Sequence, residues 1–139
     1  MNVVRALVLA LVVALALPTL AGARGGEDVR AIRALLHQQM TLLKQGKYRA
    51  MYARTTQRYR ANCRYVKFVA VNRRLRRALG PTALVDRIQV KFLTARRAHV
   101  AYRFLKNRRP YRWVTFSRRD EYLKVGRRWF DDYDRIACT

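Results

Sequence analysis

Eight acidic residues stand against 31 lysines and arginines, and their positions limit the chemistry open to this chain. No Asp or Glu occurs between Asp28 and Asp86. The later acids are Asp86, Asp120, Glu121, Asp131, Asp132 and Asp134. Asp131, Asp132 and Asp134 sit among Arg127, Arg128 and Arg135, so they read as surface ion-pair partners. A general base must come within about 3 Å of the proton it takes. The candidates left for such work are His99 and Asp86. His99 falls on the strand face opposite Val100 and Tyr102, and a lone histidine acts only with a partner. Asp86 paired with Asp132 and an arginine would suit hydrolysis, but no spacing in the chain brings them together. His37 flanks the apolar Leu36 in a helical stretch and reads as a polar flank position.

Two cysteines, Cys63 and Cys138, complete the reactive inventory. Neither they nor the two distant histidines show CxxC or HxxxH spacing, so no metal site and no cofactor is expected. Their pairing depends on compartment. Ala6 to Leu17 is an unbroken apolar run behind Arg5, stopped by Pro18 and followed by Ala21-Gly22-Ala23. This is the three-part pattern of a secretory signal peptide. It is shorter than the roughly 18 apolar residues that a membrane span requires. The expectation is a leader over 1–23 cut near Ala23, a single domain over 24–139, and a secreted or periplasmic product. There an even number of cysteines oxidises, which predicts a Cys63–Cys138 disulfide.

Loss of the leader removes only Arg5 from the cations, so the formal net charge of +23 falls by one to +22. Such a protein attracts polyanions and repels itself. Only six of the basic residues are lysines, and arginine is the side chain that grips phosphate or carboxylate with two parallel bonds. Arg73, Arg74, Arg76 and Arg77 cluster on one predicted helix. Arg96, Arg97, Arg127 and Arg128 fall at two turns that a meander places at one rim. Both groups are candidate polyanion-binding surfaces, for an anionic envelope polymer or lipid headgroups. No nucleic-acid-binding motif is present, so no specific nucleic acid is expected.

The positioning elements follow from periodicity. Glu27 and Asp28 open a helix with Val29, Ile32, Leu36, Met40 and Leu43 on one face, ended by Gly46. A second, short helix starts near Lys47 with Tyr48, Met51, Tyr52 and Thr55 on one face. Tyr65 to Val71 suits either a strand or a helix; Phe68, Val71, Leu75 and Leu79 favour a third helix, stopped by Gly80-Pro81. From Asp86 the period becomes two. Four strands follow, the third running from Tyr111 to Val125 with a bulge near Ser117 to Arg119, the fourth from Trp129 to Ile136. This is an α+β layout, with helices packed on a curved four-stranded antiparallel sheet. Tyr52, Phe92, Tyr102 and Trp113 are the candidate pocket aromatics.

Gly46-Lys47-Tyr48-Arg49-Ala50-Met51-Tyr52 and the hairpin Val125-Gly126-Arg127-Arg128-Trp129-Phe130 are similar to segments of the nuclear transport factor 2-like superfamily, which includes SnoaL-like and ketosteroid isomerase-like proteins. Lys47 stands where the family carries an acid. With the strand pattern, the resemblance covers roughly residues 27 to 137. It implies a cone, a bent sheet wrapped on a long helix around a pocket. It names no reaction, because the fold hosts enzymes, binding domains and scaffolds. Where the isomerase base would fall, the chain has Thr55-Thr56-Gln57-Arg58. The leading expectation is therefore an exported, non-enzymatic basic binding domain for a small apolar ligand, as a monomer or homodimer. The alternatives are a small-molecule isomerase or hydrolase using His99 or Asp86, and a polyanion-binding envelope protein.

Overall fold

The computed structural model describes residues 20–132 and Cys138. Helix α1 spans Leu20–Gln45, α2 Tyr48–Tyr52, α3 Gln57–Asn62 and α4 Tyr65–Leu79. Strands β1 Leu84–Thr94, β2 Arg97–Lys106, β3 Arg109–Val114, β4 Glu121–Val125 and β5 Arg128–Asp131 follow. This is the expected α+β order. The apolar run of the expected leader, Asp134 and Ile136 lie outside the described residues.

In α1, Ile32, Leu36, Met40 and Leu43 are buried as the spacing predicts; Val29 is half-buried and Leu35 joins the buried stripe. The helix begins at Leu20, not at Glu27, so the expected cut after Ala23 falls within it. Asp28 accepts hydrogen bonds from Lys124 Nζ (2.6 Å) and Trp129 Nε1 (2.9 Å) and ties α1 to the last hairpin. Gly46 adopts φ +69°, the left-handed conformation that ends α1.

Tyr65 to Val71 is helical. Phe68 and Leu79 are buried and Val69, Val71 and Leu75 half-buried, while the arginines of α4 stay in solvent. Helix α3 is an element that periodicity did not predict. Its signal is an N-cap: the Thr56 hydroxyl accepts from the Tyr59 backbone N–H at 3.0 Å.

The sheet has five strands, not four. β1 pairs with β2 from Leu84↔Leu105 to Thr94↔Arg97. The other edge of β2 is shared. β3 takes its C-terminal half, Tyr102↔Val114 to Lys106↔Arg109, and β4 its N-terminal part, Arg97↔Leu123 to His99↔Glu121. The expected single strand over Tyr111–Val125 is interrupted by a 3-10 turn at Phe116–Arg118 and by Arg119 at φ +54°. The interruption lies where the apolar alternation breaks, and it is larger than a bulge. Pairing resumes when Val100 N–H donates to the Asp120 carbonyl (2.9 Å). β5 closes the order on β4 and leaves the sheet open.

One apolar core holds Ile32, Leu36, Met51, Tyr59, Phe68, Val100, Tyr122 and Trp129, drawn from both layers. Cys63 and Cys138 are buried at its margin and form a disulfide, with Cα atoms 5.7 Å apart. Among the described residues, no helix is long and apolar enough to cross a membrane.

Candidate functional site

A cavity of about 500 Å³ lies between α1, α4 and the sheet. Each wall follows from a periodicity. From α1 come Leu36, Gln39, Met40 and Leu43, and from α4 Phe68, Val71, Asn72, Leu75 and Ala78, both sets at helical steps of three and four. β2 gives the alternate residues Tyr102 and Phe104, β3 gives Val114, and β4 gives Tyr122. The mouth is basic: Arg74, Arg112 and Arg118 line it together with exposed Tyr111.

The interior has a polar sector. Tyr59, Tyr102, Tyr122, Asp120 and Asp131 all line the cavity. Tyr122 is buried at 1% exposure. Burial, with the charges of Asp120 and Asp131 and the neighbouring Tyr102 and Tyr59, holds its phenol far above the ordinary value of 10.0, so it stays a neutral O–H. Asp131 is held by its backbone, its N–H donating to the Arg54 carbonyl (3.0 Å) and its carbonyl accepting from Thr56 N–H (2.8 Å). Gln39 supplies a second polar feature. Its Nε2 donates to the Met51 carbonyl (3.4 Å), while its buried Oε1 has no hydrogen-bond partner. An unmet buried acceptor costs about 1–3 kcal/mol, which a ligand donor can offset.

Asp131, expected at the surface, thus lines the cavity. Asp132, expected beside it at the surface, is fully buried. It accepts from the Thr56 hydroxyl and from Arg58, whose Nη2 lies at 2.7 Å and Nε at 3.3 Å. Alternation explains the separation of these neighbours, since the extended backbone continues one residue past β5, where Asp132 N–H donates to the Glu121 carbonyl (2.8 Å).

Of the four pocket aromatics expected, Tyr102 lines the cavity and the other three do not. Tyr52 packs on Tyr65 and Phe68 and donates to the Cys63 carbonyl (2.8 Å), so it braces the loop after α3. Phe92, at 38% exposure, packs against Trp129 near the far end of β1. Trp113 lies on the outer sheet face under the Arg103 guanidinium, 5.2 Å from the ring centroid. Trp113 is the cross-strand partner of Arg103 and so shares the outer face, whereas Tyr102 pairs with Val114 on the cavity side.

His99 and Asp86 do not converge. Asp86 binds Arg103 through two bonds of 2.8 and 2.6 Å. Those bonds, opposed by partial desolvation and helped by the charges of Arg103 and Arg87, hold its carboxyl below the ordinary 3.8. His99 Nε2 sits 4.0 Å from Glu121 Oε2. His99 and Arg103 are four positions apart on β2, about 13 Å at strand rise, and both face away from the cavity. Asp86, on β1, is likewise remote from Asp132 beyond β5, so the paired-acid arrangement is not formed.

The basic residues make two separate groups. The β1–β2 and β4–β5 turns meet at one end, where Lys124 N–H donates to the Arg96 carbonyl (2.8 Å). Arg96, Arg127 and Arg128 are exposed there, and Arg97 is paired with Glu121. Arg73, Arg76 and Arg77 line a second cleft at the opposite end of α1, and Arg74 turns to the cavity mouth. Among the described residues, no group of three or more His, Cys, Asp or Glu side chains could hold a metal ion.

No protein-family model matches the chain, and no curated protein matches it.

The sequence reading missed Asp120, Asp131, Tyr59, Tyr122 and Gln39 as site residues. Tyr122 had a signal, since it sits between Glu121 and Leu123 at an inward register. Asp120 had none, because its orientation depends on the 3-10 turn before it.

Proposed function

We propose that the chain is an exported small-molecule-binding domain whose ligand is amphipathic. An apolar body would fill the space between α1, α4 and β2, an acidic group would meet Arg74, Arg112 and Arg118, and a hydroxyl would meet Gln39 and the tyrosines. The observation that carries this reading is the cavity itself: mainly apolar walls with a few convergent polar groups are the usual form of a ligand site. Export is supported by the disulfide and by the leader pattern of the sequence. The order of helices and meander, with a cavity between them, supports the nuclear transport factor 2-like resemblance.

The test uses 8-anilinonaphthalene-1-sulfonate, an amphipathic anion, as the probe. Saturable fluorescence enhancement is expected from the folded chain. Val71→Trp, which fills the cavity from α4, should abolish it, and Arg112→Gln with Arg118→Gln should weaken it about tenfold through lost charge-assisted bonds. Binding unchanged by Val71→Trp would overturn the reading.

One observation favours a second reading. The expectation of a non-enzymatic domain rested on a cavity without acids, and Asp120 and Asp131 both line it. Beside a neutral Tyr122 O–H they could move a proton on a bound carbonyl or hydroxyl compound. Turnover lost in Asp120→Asn or Asp131→Asn with probe binding intact would establish acid–base chemistry.

A further inference from the structure

The second cleft, about 630 Å³, lies between the C-terminal end of α1 and α4 and is lined by Lys44, Tyr48, Arg73, Arg76 and Arg77. Helical spacing puts Arg73, Arg76 and Arg77 on one side of α4, away from Val71, Leu75 and Ala78 of the cavity. No carboxylate of the described residues lines the cleft. Among the described residues, the ion pairs formed by Asp and Glu go to Arg58, Arg97, His99, Arg103 and Lys124, all on other elements. Four cations therefore share one concave space with no carboxylate from the described residues; the C-terminal ends of α1 and α4 offset part of their charge, and an anion would offset more.

The arrangement is also positioned. Arg76 Nε donates to the Lys44 carbonyl at 3.0 Å, which fixes the guanidinium against the end of α1. Its Nη1 lies over Gly46, where a Cβ would come within 3.2 Å. Gly46 thus does two things: it ends α1 and it leaves room for Arg76. The flanking Arg73 and Arg77 are exposed and reach the same space.

We propose that this cleft binds a small molecule bearing an oligophosphate group, with Arg76 as the fixed fork and Arg73, Arg77 and Lys44 around it. Guanidinium groups grip phosphate oxygens through paired, charge-assisted bonds, and a diphosphate or triphosphate matches four clustered cations better than a single carboxylate does. The shape favours a discrete ligand over a membrane. None of the exposed large apolar side chains, Val66, Leu84, Phe92, Leu93, Tyr111, Trp113 and Val125, lines the cleft.

Inorganic pyrophosphate and tripolyphosphate titrated into the full chain at constant ionic strength, followed by calorimetry, test the site. One-to-one saturable binding is expected, tighter for tripolyphosphate. Arg73→Gln with Arg77→Gln should weaken it at least about tenfold. Arg127→Gln with Arg128→Gln removes the same charge from the opposite end and should change affinity less than about twofold if binding is local. Arg76→Lys keeps the charge but cannot keep the fork and should fall between the two. If Arg73→Gln with Arg77→Gln does not fold, the charge-keeping pair Arg73→Lys with Arg77→Lys replaces it, with a smaller loss expected. Equal losses in the two charge-removing variants would reduce the effect to net charge and overturn the proposal. So would the absence of saturable binding, or binding to phosphatidylglycerol vesicles that pyrophosphate does not displace.

Discussion

Asp28 is held where sequence alone would not put it. It is mostly buried against the last hairpin, and burial pushes its carboxyl up, but the hydrogen bonds from Lys124 and Trp129 and the Lys124 charge outweigh that and leave it below 3.8. A carboxyl depressed in the fold stabilises the protein above its unfolded value and ceases to as pH falls through its folded value. The tie between α1 and the hairpin should therefore be complete above about pH 4 and weaken below it, with the melting temperature dropping in that window. In Asp28→Asn the drop should shrink, because no ionisation is left at that position to stabilise the fold. An acid limb of the melting curve identical in both proteins would show that Asp28 does not govern it. Asp132 makes a complementary point. With no exposure, it joins the Thr56 cap of α3 to the Arg58 side chain, so one carboxylate fastens the helical layer to the end of the sheet.

Among the elements, the β2–β3 hairpin is the one most plainly under local strain. Its two-residue loop, Asn107-Arg108, has φ of +51° and +60°. Asn tolerates the left-handed region, whereas an arginine there costs about 1–2 kcal/mol from its Cβ. The loop is retained in place by Thr82, whose hydroxyl accepts from the Asn107 N–H at 3.0 Å and bonds the Asn107 side-chain oxygen at 2.7 Å. Arg108→Gly is expected to stabilise the protein by about 1 kcal/mol, read as a higher denaturant midpoint with unchanged slope. A lower midpoint would mean that Arg108 makes a compensating contact. The same logic explains why β3 and β4 are separate. Arg119, at φ +54°, turns the chain after the 3-10 turn, so that Asp120 lines the cavity and Tyr122 enters the core.

On the scale of the molecule, two opposing effects set stability. A net charge of +23 on 139 residues favours expansion. Against it stand the shared core and the Cys63–Cys138 bridge, which closes a separation of 75 residues. The chain-entropy model gives that bridge about 4 kcal/mol. Reduction, or Cys63→Ser with Cys138→Ser, should lower the melting temperature by more than about 10 °C, and added salt should recover part of the loss by screening the arginines. A change of a degree or two would place the bridge outside the cooperative unit. The two basic ends contribute differently. Arg97 has Glu121 as partner, while Arg73 and Arg77 have no ion-pair partner among the described residues and are where a bound anion would stabilise the fold most.

The sequence by itself determined the class and order of the fold. Helical spacing marked α1 and α4, strict alternation marked β1 and β2, and Gly46, Gly80 and Gly126 marked the turns, because these signals are local and each is set by the geometry of a few residues. The pairing of Cys63 with Cys138 also followed, since a second choice did not exist. Tertiary structure alone decided the site. Asp131 and Asp132 are adjacent and look alike in sequence, yet one lines the cavity and the other is sealed against Thr56 and Arg58. Trp113 and Tyr102 are both strand aromatics, yet Trp113 pairs with Arg103 and Tyr102 with Val114, which puts them on opposite faces. Which side of a strand is inside depends on register across the sheet, and register is a relation between distant segments that no local pattern encodes.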